Sequence, residues 1–187
     1  MKLSALCLAC AVASTAAAQK SVPVTSEPHH HLVYTSERLR VFRVEVPAHS
    51  ATLLHEHAVD YLWISVGASE FVNAVAGKAE ANVVAADGSV HFTRGGFAHV
   101  ARIEGERAFH NVTLELPQPQ TNPRNLCEEI LAAEKMNCPS AMKRAATAYS
   151  GATVLPEFET DQVRVTLITI APKVTLEFGA AARGSMR

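Results

Sequence analysis

The chain has 187 residues, 48% hydrophobic and 19% charged, the composition of an ordinary globular protein with room for one domain. Its 17 basic and 18 acidic residues leave a formal charge of −1 at pH 7, and no basic cluster is interleaved with aromatic residues, which excludes nucleic acid as the expected partner. The sequence also lacks a glycine-rich phosphate loop, a Gly-x-Ser-x-Gly elbow and, beyond Ala18, a Cys-x-x-Cys pair.

Met1 and Lys2 precede an apolar, alanine-rich run, so that residues 1–18 read as a secretory signal peptide cleaved after Ala18. The run is too short to span a bilayer. A secreted or periplasmic protein with no membrane association after cleavage is expected. Cleavage removes Cys7 and Cys10 and leaves Cys127 and Cys138 as an even pair in an oxidising compartment, where a disulfide between them is the natural reading. Residues 19–27 are polar and bear a proline, and are expected to be a mobile leader.

From there short strands follow in quick succession, at 32–34, 39–46, 51–57, 60–66, 71–75, 81–85, 90–93 and 108–116. They are rich in β-branched and aromatic residues and are separated by Gly77, Gly88, Gly95-Gly96 and Gly105. Regular short strands with glycine turns and no alternating helices predict an all-β antiparallel barrel or sandwich. Along 60–66, alternation sets Leu62, Ile64 and Val66 on one face and Tyr61, Trp63 and Ser65 on the other. The first set, with Val112 and Leu114, is expected to carry the barrel core. His110 shares the face of Val112 and Leu114 and so is expected to point inward.

Composition changes at 117–123, Pro-Gln-Pro-Gln-Thr-Asn-Pro. Residues 118–151 are expected to hold this proline-rich linker and two short helices. One covers 125–135, with Leu126, Ile130 and Leu131 at helical spacing; the other covers 140–149, capped by Ser140 and stopped at Gly151. The expected disulfide ties the first helix to the start of the second. Beyond them, 160–172 echoes 36–47, with Arg164-Val165 in the place of Arg40-Val41.

The chemistry concentrates in His55-Glu56-His57 and in His99, within Arg94-Gly95-Gly96-Phe97-Ala98-His99. On a strand, His55 and His57 share one face about 7 Å apart. A third imidazole folded alongside from another strand completes a chelating set. The spacing of His55, His57 and Gly67, then Gly88, Gly96 and His99, resembles the two motifs of the cupin superfamily, jelly-roll β-barrels. Two departures stand out. Tyr61 or Leu62 occupies the place of the family's Glu, with Asp60 one position early, and Arg94 and Ile103 replace its Pro and Asn.

The resemblance covers residues 28–117. It implies a cupin-like jelly-roll barrel, to which the expected helices and disulfide add a short helical, disulfide-bearing C-terminal extension, and it makes residues 152–187 a partial, metal-free second repeat, since Phe178 and Ala180 stand where His55 and His57 would. That fragment is expected to dock on the barrel or on the partner subunit of a homodimer. The resemblance also implies one divalent transition metal on His55, His57 and His99. Asp60 as a fourth ligand suits Mn or Fe, whereas three histidines with open positions suit Fe, Cu or Zn. The alternative is a barrel whose histidines bind no metal.

The family implies dioxygenase-type or isomerase and lyase chemistry on a small organic molecule, against a non-enzymatic module that binds a small ligand or a metal. Tyr61 is the catalytic candidate, and Asn73, Arg94 and Arg102 are candidate substrate contacts. His49, His91 and the His29-His30-His31 run read as lying outside the site.

Overall fold

The computed structural model describes residues 20–122, 124–125, 130–131, 134–135 and 147–177. The expected signal peptide and the expected Cys127–Cys138 bond lie outside the described residues. The chain begins with β1 (Val22–Pro23) and a 3-10 turn (Val24–Ser26). Nine further strands follow: β2 (His30–Thr35), β3 (Arg40–Val46), β4 (His55–His57), β5 (Asp60–Ser65), β6 (Ser69–Val75), β7 (Ala81–Ala85), β8 (Val90–Thr93), β9 (Phe97–Arg102) and β10 (Phe109–Leu116). They build two five-stranded sheets, in the orders β1-β4-β9-β6-β7 and β2-β3-β10-β5-β8. All pairs are antiparallel except β1 beside β4.

Residues 20–27 are not a mobile leader. Val22 pairs with His55 and Pro23 with Glu56, and Val24 and Glu27 are buried. Strand pairing and burial of Val24 give this segment the anchoring that its polar composition does not advertise.

The inner faces of both sheets meet in one apolar cluster that includes Phe42, Val44, Val46, Trp63, Phe71 and Phe109. Its aromatic end is tightly arranged, with Phe71 stacked on Phe109 at 4.4 Å and Trp63 edge-on to both. The expected core assignment is therefore inverted. Tyr61, Trp63 and Ser65 point inward, while Leu62, Ile64 and Leu114 belong to a second cluster on the outer face with Val90, Phe92 and Leu116. Along β10 the buried inner positions are Phe109, Asn111, Thr113 and Glu115, so His110 and Val112 lie on the opposite, half-buried parity. Both faces of β5 are apolar, and alternation alone cannot tell which of them lines the barrel.

The outer cluster is covered by the C-terminal part of the chain. There β14 (Thr147–Tyr149), β15 (Ala152–Glu159) and β16 (Arg164–Ile170) form a sheet with β11 (Arg124–Asn125), and β12 (Ile130–Leu131) pairs with β13 (Glu134–Lys135). The described parts of both expected helices are thus strands, and no α-helix occurs among the described residues. The reason lies in pairing. β15 offers an open edge that takes β11 near Glu159 and β14 near Ala152, and tertiary pairing of this kind overrides helical spacing. Gly151, expected as a helix stop, adopts φ +73° in the turn that returns β14 to β15.

The β15–β16 hairpin repeats the β2–β3 hairpin in its hydrogen bonding. Thr35 opposes Arg40 as Glu159 opposes Arg164, and each ladder slips once, around Val33 in the first and Glu157 in the second. The turns match as well. Ser36 Oγ accepts from the backbone N–H groups of Arg38 and Leu39, and Thr160 Oγ1 accepts from those of Gln162 and Val163. Ser36 N–H donates to Leu39 O and Thr160 N–H to Val163 O, both at 2.8 Å.

Phe158, fully buried, stacks on Phe92 at 4.8 Å and joins this C-terminal sheet to the barrel. Phe158→Ala is expected to lower the free energy of unfolding by about 3 to 5 kcal/mol, the usual cost of such a truncation. Urea titration reads it. A variant as stable as the parent would mean that the C-terminal sheet contributes nothing to the barrel.

Candidate metal centre

Three strands bring the imidazoles together. In β4, alternation buries His55 and His57 and exposes Glu56. β9, which strand patterning leaves unassigned because it follows directly on a double-glycine turn, lies antiparallel to β4 with His99 directly opposite His55. Gly95 makes that return possible. A Cβ there would come within 2.3 Å of the Val59 backbone, and Gly96, at φ +89°, donates its N–H to His57 O at 2.7 Å. Ring centroids lie 5.2 Å apart for His55 and His57, 4.4 Å for His55 and His99, and 5.5 Å for His57 and His99.

A fourth ring comes from β2. His30, expected to be a solvated lead-in, lies 4.6 Å from the His55 ring and 5.8 Å from that of His57. The tightest grouping of ligating atoms is in fact His30, His55 and His57, all within 4.8 Å of one another. Rings sharing a metal at about 2.1 Å have centroids about 4.6 Å apart at right angles and about 5.3 Å apart at the tetrahedral angle. The observed separations bracket those values.

Each imidazole is held at Nδ1 by a group that can only accept a hydrogen bond. His55 Nδ1 donates to Leu53 O at 2.9 Å, His57 Nδ1 to Glu115 Oε1 at 3.3 Å, His99 Nδ1 to Asn73 Oδ1 at 2.7 Å, and His30 Nδ1 to Glu27 Oε2. These acceptors put a proton on Nδ1 of each ring, and in the neutral form of His55, His57 and His99 Nε2 carries the lone pair. The Nε2 atoms of His55 and His99 are buried without a hydrogen-bond partner. A buried, unsatisfied acceptor costs about 1 to 3 kcal/mol, which a bound cation removes. The donor set fits a metal ion.

Burial keeps the rings of His55, His57 and His99 neutral. Burial, reinforced by the neighbouring His30, pushes His55 down to about 4 against the opposing pull of the Leu53 carbonyl, Glu27 and Glu115. His57 and His99 are held well below the ordinary histidine range, first by burial and then by the other imidazoles. Burial raises the Glu115 carboxyl, and Arg40, 2.8 Å from its other oxygen, pulls it back. For Glu27, burial is opposed and outweighed by the hydrogen bond and charge of His30 and by the Leu53 N–H, so its carboxyl lies below the usual value.

The remaining candidates divide. Asp60 does not join the cluster: it pairs with Arg94 at 2.7 Å and accepts from the backbone N–H groups of Gly95 and Gln120, bracing the turn ahead of β9. That engages Arg94 as well. Arg102 pairs with Glu80 and Glu104 on the surface. Asn73 is buried and orients His99. Tyr61 lines the cavity with its ring stacked on His57 at 4.0 Å. His91, expected to be exposed, is buried and stacked on Trp63 at 3.9 Å, whereas His49 is exposed beside Glu106. Glu27 and Glu115 were missed from sequence, although Glu115 carries a signal, a carboxylate at the inward parity that Phe109 sets along β10.

The cavity bounded by the imidazoles and by Trp63, Phe71 and Phe109 has a volume of about 40 Å3, space for a metal ion with two or three water-sized groups.

No protein-family model and no curated protein matches the chain. Solved structures do. A cupin domain from Bordetella pertussis Tohama I is similar at 17% identity with a TM-score of 0.44, over 46% of this chain and 90% of that one. An RmlC-like cupin family protein with a double-stranded β-helix fold from Methanocaldococcus jannaschii is similar at 10% identity and a TM-score of 0.42, over 48% and 80%. DMSP lyase DddQ from Ruegeria pomeroyi DSS-3 is similar at 22% identity and a TM-score of 0.36, over 43% and 39%.

The depressed histidines have a consequence for the metal-free protein. Unfolded, they titrate near about 6.5; folded, they do so lower, so between the two values the unfolded chain binds more protons and stability rises with pH. Stability is expected to fall as pH drops from about 6.5 toward the value of about 4 held by His55. Urea midpoints measured across that window test it, and a flat profile would mean that the rings are not buried in neutral form.

Proposed function

We propose that this protein is an exported, cupin-like metalloprotein that holds one divalent transition metal on His55, His57 and His99 and acts on a small organic molecule. The observation that carries the reading is the pair of buried Nε2 lone pairs on His55 and His99, each without a partner and each fixed in its tautomer from behind. Three imidazoles with Asp60 engaged elsewhere match the donor preference of Fe, Cu or Zn better than that of Mn. A bound metal supplies Lewis acidity and open coordination positions for a substrate oxygen or for dioxygen.

The chain's own residues supply orientation and exclusion of water. Leu53 O, Glu115 and Asn73 fix the three rings, and outer partners of this kind are worth about tenfold to a hundredfold in metal affinity. Trp63, Phe71 and Phe109 make the far wall apolar, so ring or carbon–carbon cleavage, isomerisation or lyase chemistry would proceed with little bulk water present. The small cavity favours a second reading, a module that captures a metal or a few-atom ligand without turnover.

Metal content tests the centre. His55→Ala, His57→Ala and His99→Ala are each expected to lose most of the metal with the fold intact, whereas Asp60→Ala and His49→Ala should retain full stoichiometry, Asp60→Ala with lowered stability. Elemental analysis of untagged protein reads all five. A wild type that takes up no metal on reconstitution, or a His55→Ala protein that keeps it, sinks the proposal. For export, the mature chain is expected to begin at Gln19, and intact mass showing Met1 retained on the exported protein would remove that part of the reading.

A further inference from the structure

The site described above has a quarter that its motif leaves open. The resemblance calls for a carboxylate after His57, but the residue there is Tyr61, whose ring lies face to face with His57, 19° from parallel, and the nearby Asp60 is paired with Arg94. His30 occupies the vicinity instead, its side chain 6% exposed and its ligating atom within 4.8 Å of those of both His55 and His57.

We propose that His30 is a fourth ligand to the same metal, an imidazole in place of the motif's carboxylate, and that Glu27 is its positioning residue. The inference rests on the metal reading above. Glu27 is fully buried as a side chain and accepts three hydrogen bonds through its two oxygens: Oε2 takes the His29 N–H and the His30 ring, and Oε1 takes the Leu53 N–H at 3.1 Å. Leu53 in turn holds His55 through its carbonyl. One carboxylate therefore sets two of the rings relative to each other, from β2 and from the loop ahead of β4. With Nδ1 committed to Glu27, Nε2 is left as the ligating atom of His30.

The exchange changes the charge of the centre. A carboxylate ligand would cancel one unit of a divalent ion's charge at contact distance, whereas four imidazoles cancel none, leaving compensation to Glu27 and Glu115 behind the rings. Such a centre favours a small anionic ligand in any open position. It also makes the metal a clip between sheets, since β2 and β4 belong to different ones.

Cobalt(II) is the probe, read by visible absorption and by titration of affinity on the full chain. His30→Ala and His30→Gln, the latter keeping an amide donor toward Glu27, are both expected to shift the cobalt bands and weaken binding by more than about a hundredfold. Glu27→Gln is expected to weaken it by about tenfold to a hundredfold, an effect that shrinks, when it is combined with His30→Ala, to the part carried through Leu53 and His55. His30 variants that are folded by circular dichroism and bind cobalt with unchanged bands and affinity, while His55→Ala does not bind, would overturn the fourth ligand and leave the three-histidine centre standing. Glu27→Gln acting equally with and without His30 would overturn the positioning role. A wild type that binds no cobalt would overturn both readings together.

Discussion

Everything distinctive about the barrel interior follows from one constraint: an imidazole that donates from Nδ1 to a fixed acceptor must leave its Nε2 lone pair facing the other way. Leu53 O, Glu115, Asn73 and Glu27 impose that constraint on four rings from outside the cluster. Alone, any one of these hydrogen bonds would be an ordinary way to satisfy a half-buried histidine. Four that are arranged back to back around one space leave the Nε2 atoms of His55 and His99 buried without a partner, a cost that a positive charge among the rings would remove. The strands beneath are placed to permit it. His55 and His99 are cross-strand partners, and the close approach at Gly95 determines where β9 begins.

The second constraint is that β5 is apolar on both faces and β8 on its outer one. Tyr61 and Trp63 fill the barrel, and Leu62, Val90 and Phe92 need cover on the other side. The C-terminal sheet provides it through Phe158, and its β15–β16 hairpin reuses the bulge and the Ser or Thr turn of β2–β3. The first hairpin contributes Phe42, Val44 and Val46 to the inner core and His30 to the metal cluster, while the second offers an apolar strand to the outer wall. The same local geometry has two uses because the hydrogen-bond pattern of a hairpin is set by its turn and bulge, and its packing by which side chains lie on each face.

The strands and the principal histidines were legible because strand alternation and glycine turns are local signals. His55 and His57 announce themselves by a spacing of two on a β-rich stretch. What the sequence concealed was non-local. The inward face of β5 could not be chosen while both faces were apolar, and choosing it wrongly also inverted β10, moving His110 inward and hiding Glu115. His30 was obscured by its neighbours, since in a run of three histidines only the pairing of β2 with β3 shows which one faces the interior. Helices were expected over 125–135 and 140–149, yet among the described residues Asn125 and Thr147–Tyr149 pair on the edge of β15, and an edge in three dimensions has no signature in one.

Charge accounting connects the two halves of the site. Arg40 sits against Glu115, and Glu115 against His57, so the anion behind that ring is already partly neutralised before any metal arrives. Glu27 meets the His30 ring and the backbone N–H groups of His29 and Leu53, with no arginine against it among the described residues, which leaves its charge more fully available to the centre. The field felt by an ion among the rings is therefore lopsided, stronger toward the β2 side. A ligand on that side gains the most from its outer partner, because a carboxylate hydrogen-bonded to Nδ1–H raises the basicity of Nε2. The strand that carries His30 is thus both the least obvious contributor to the cluster and the one whose ring lies directly against that carboxylate.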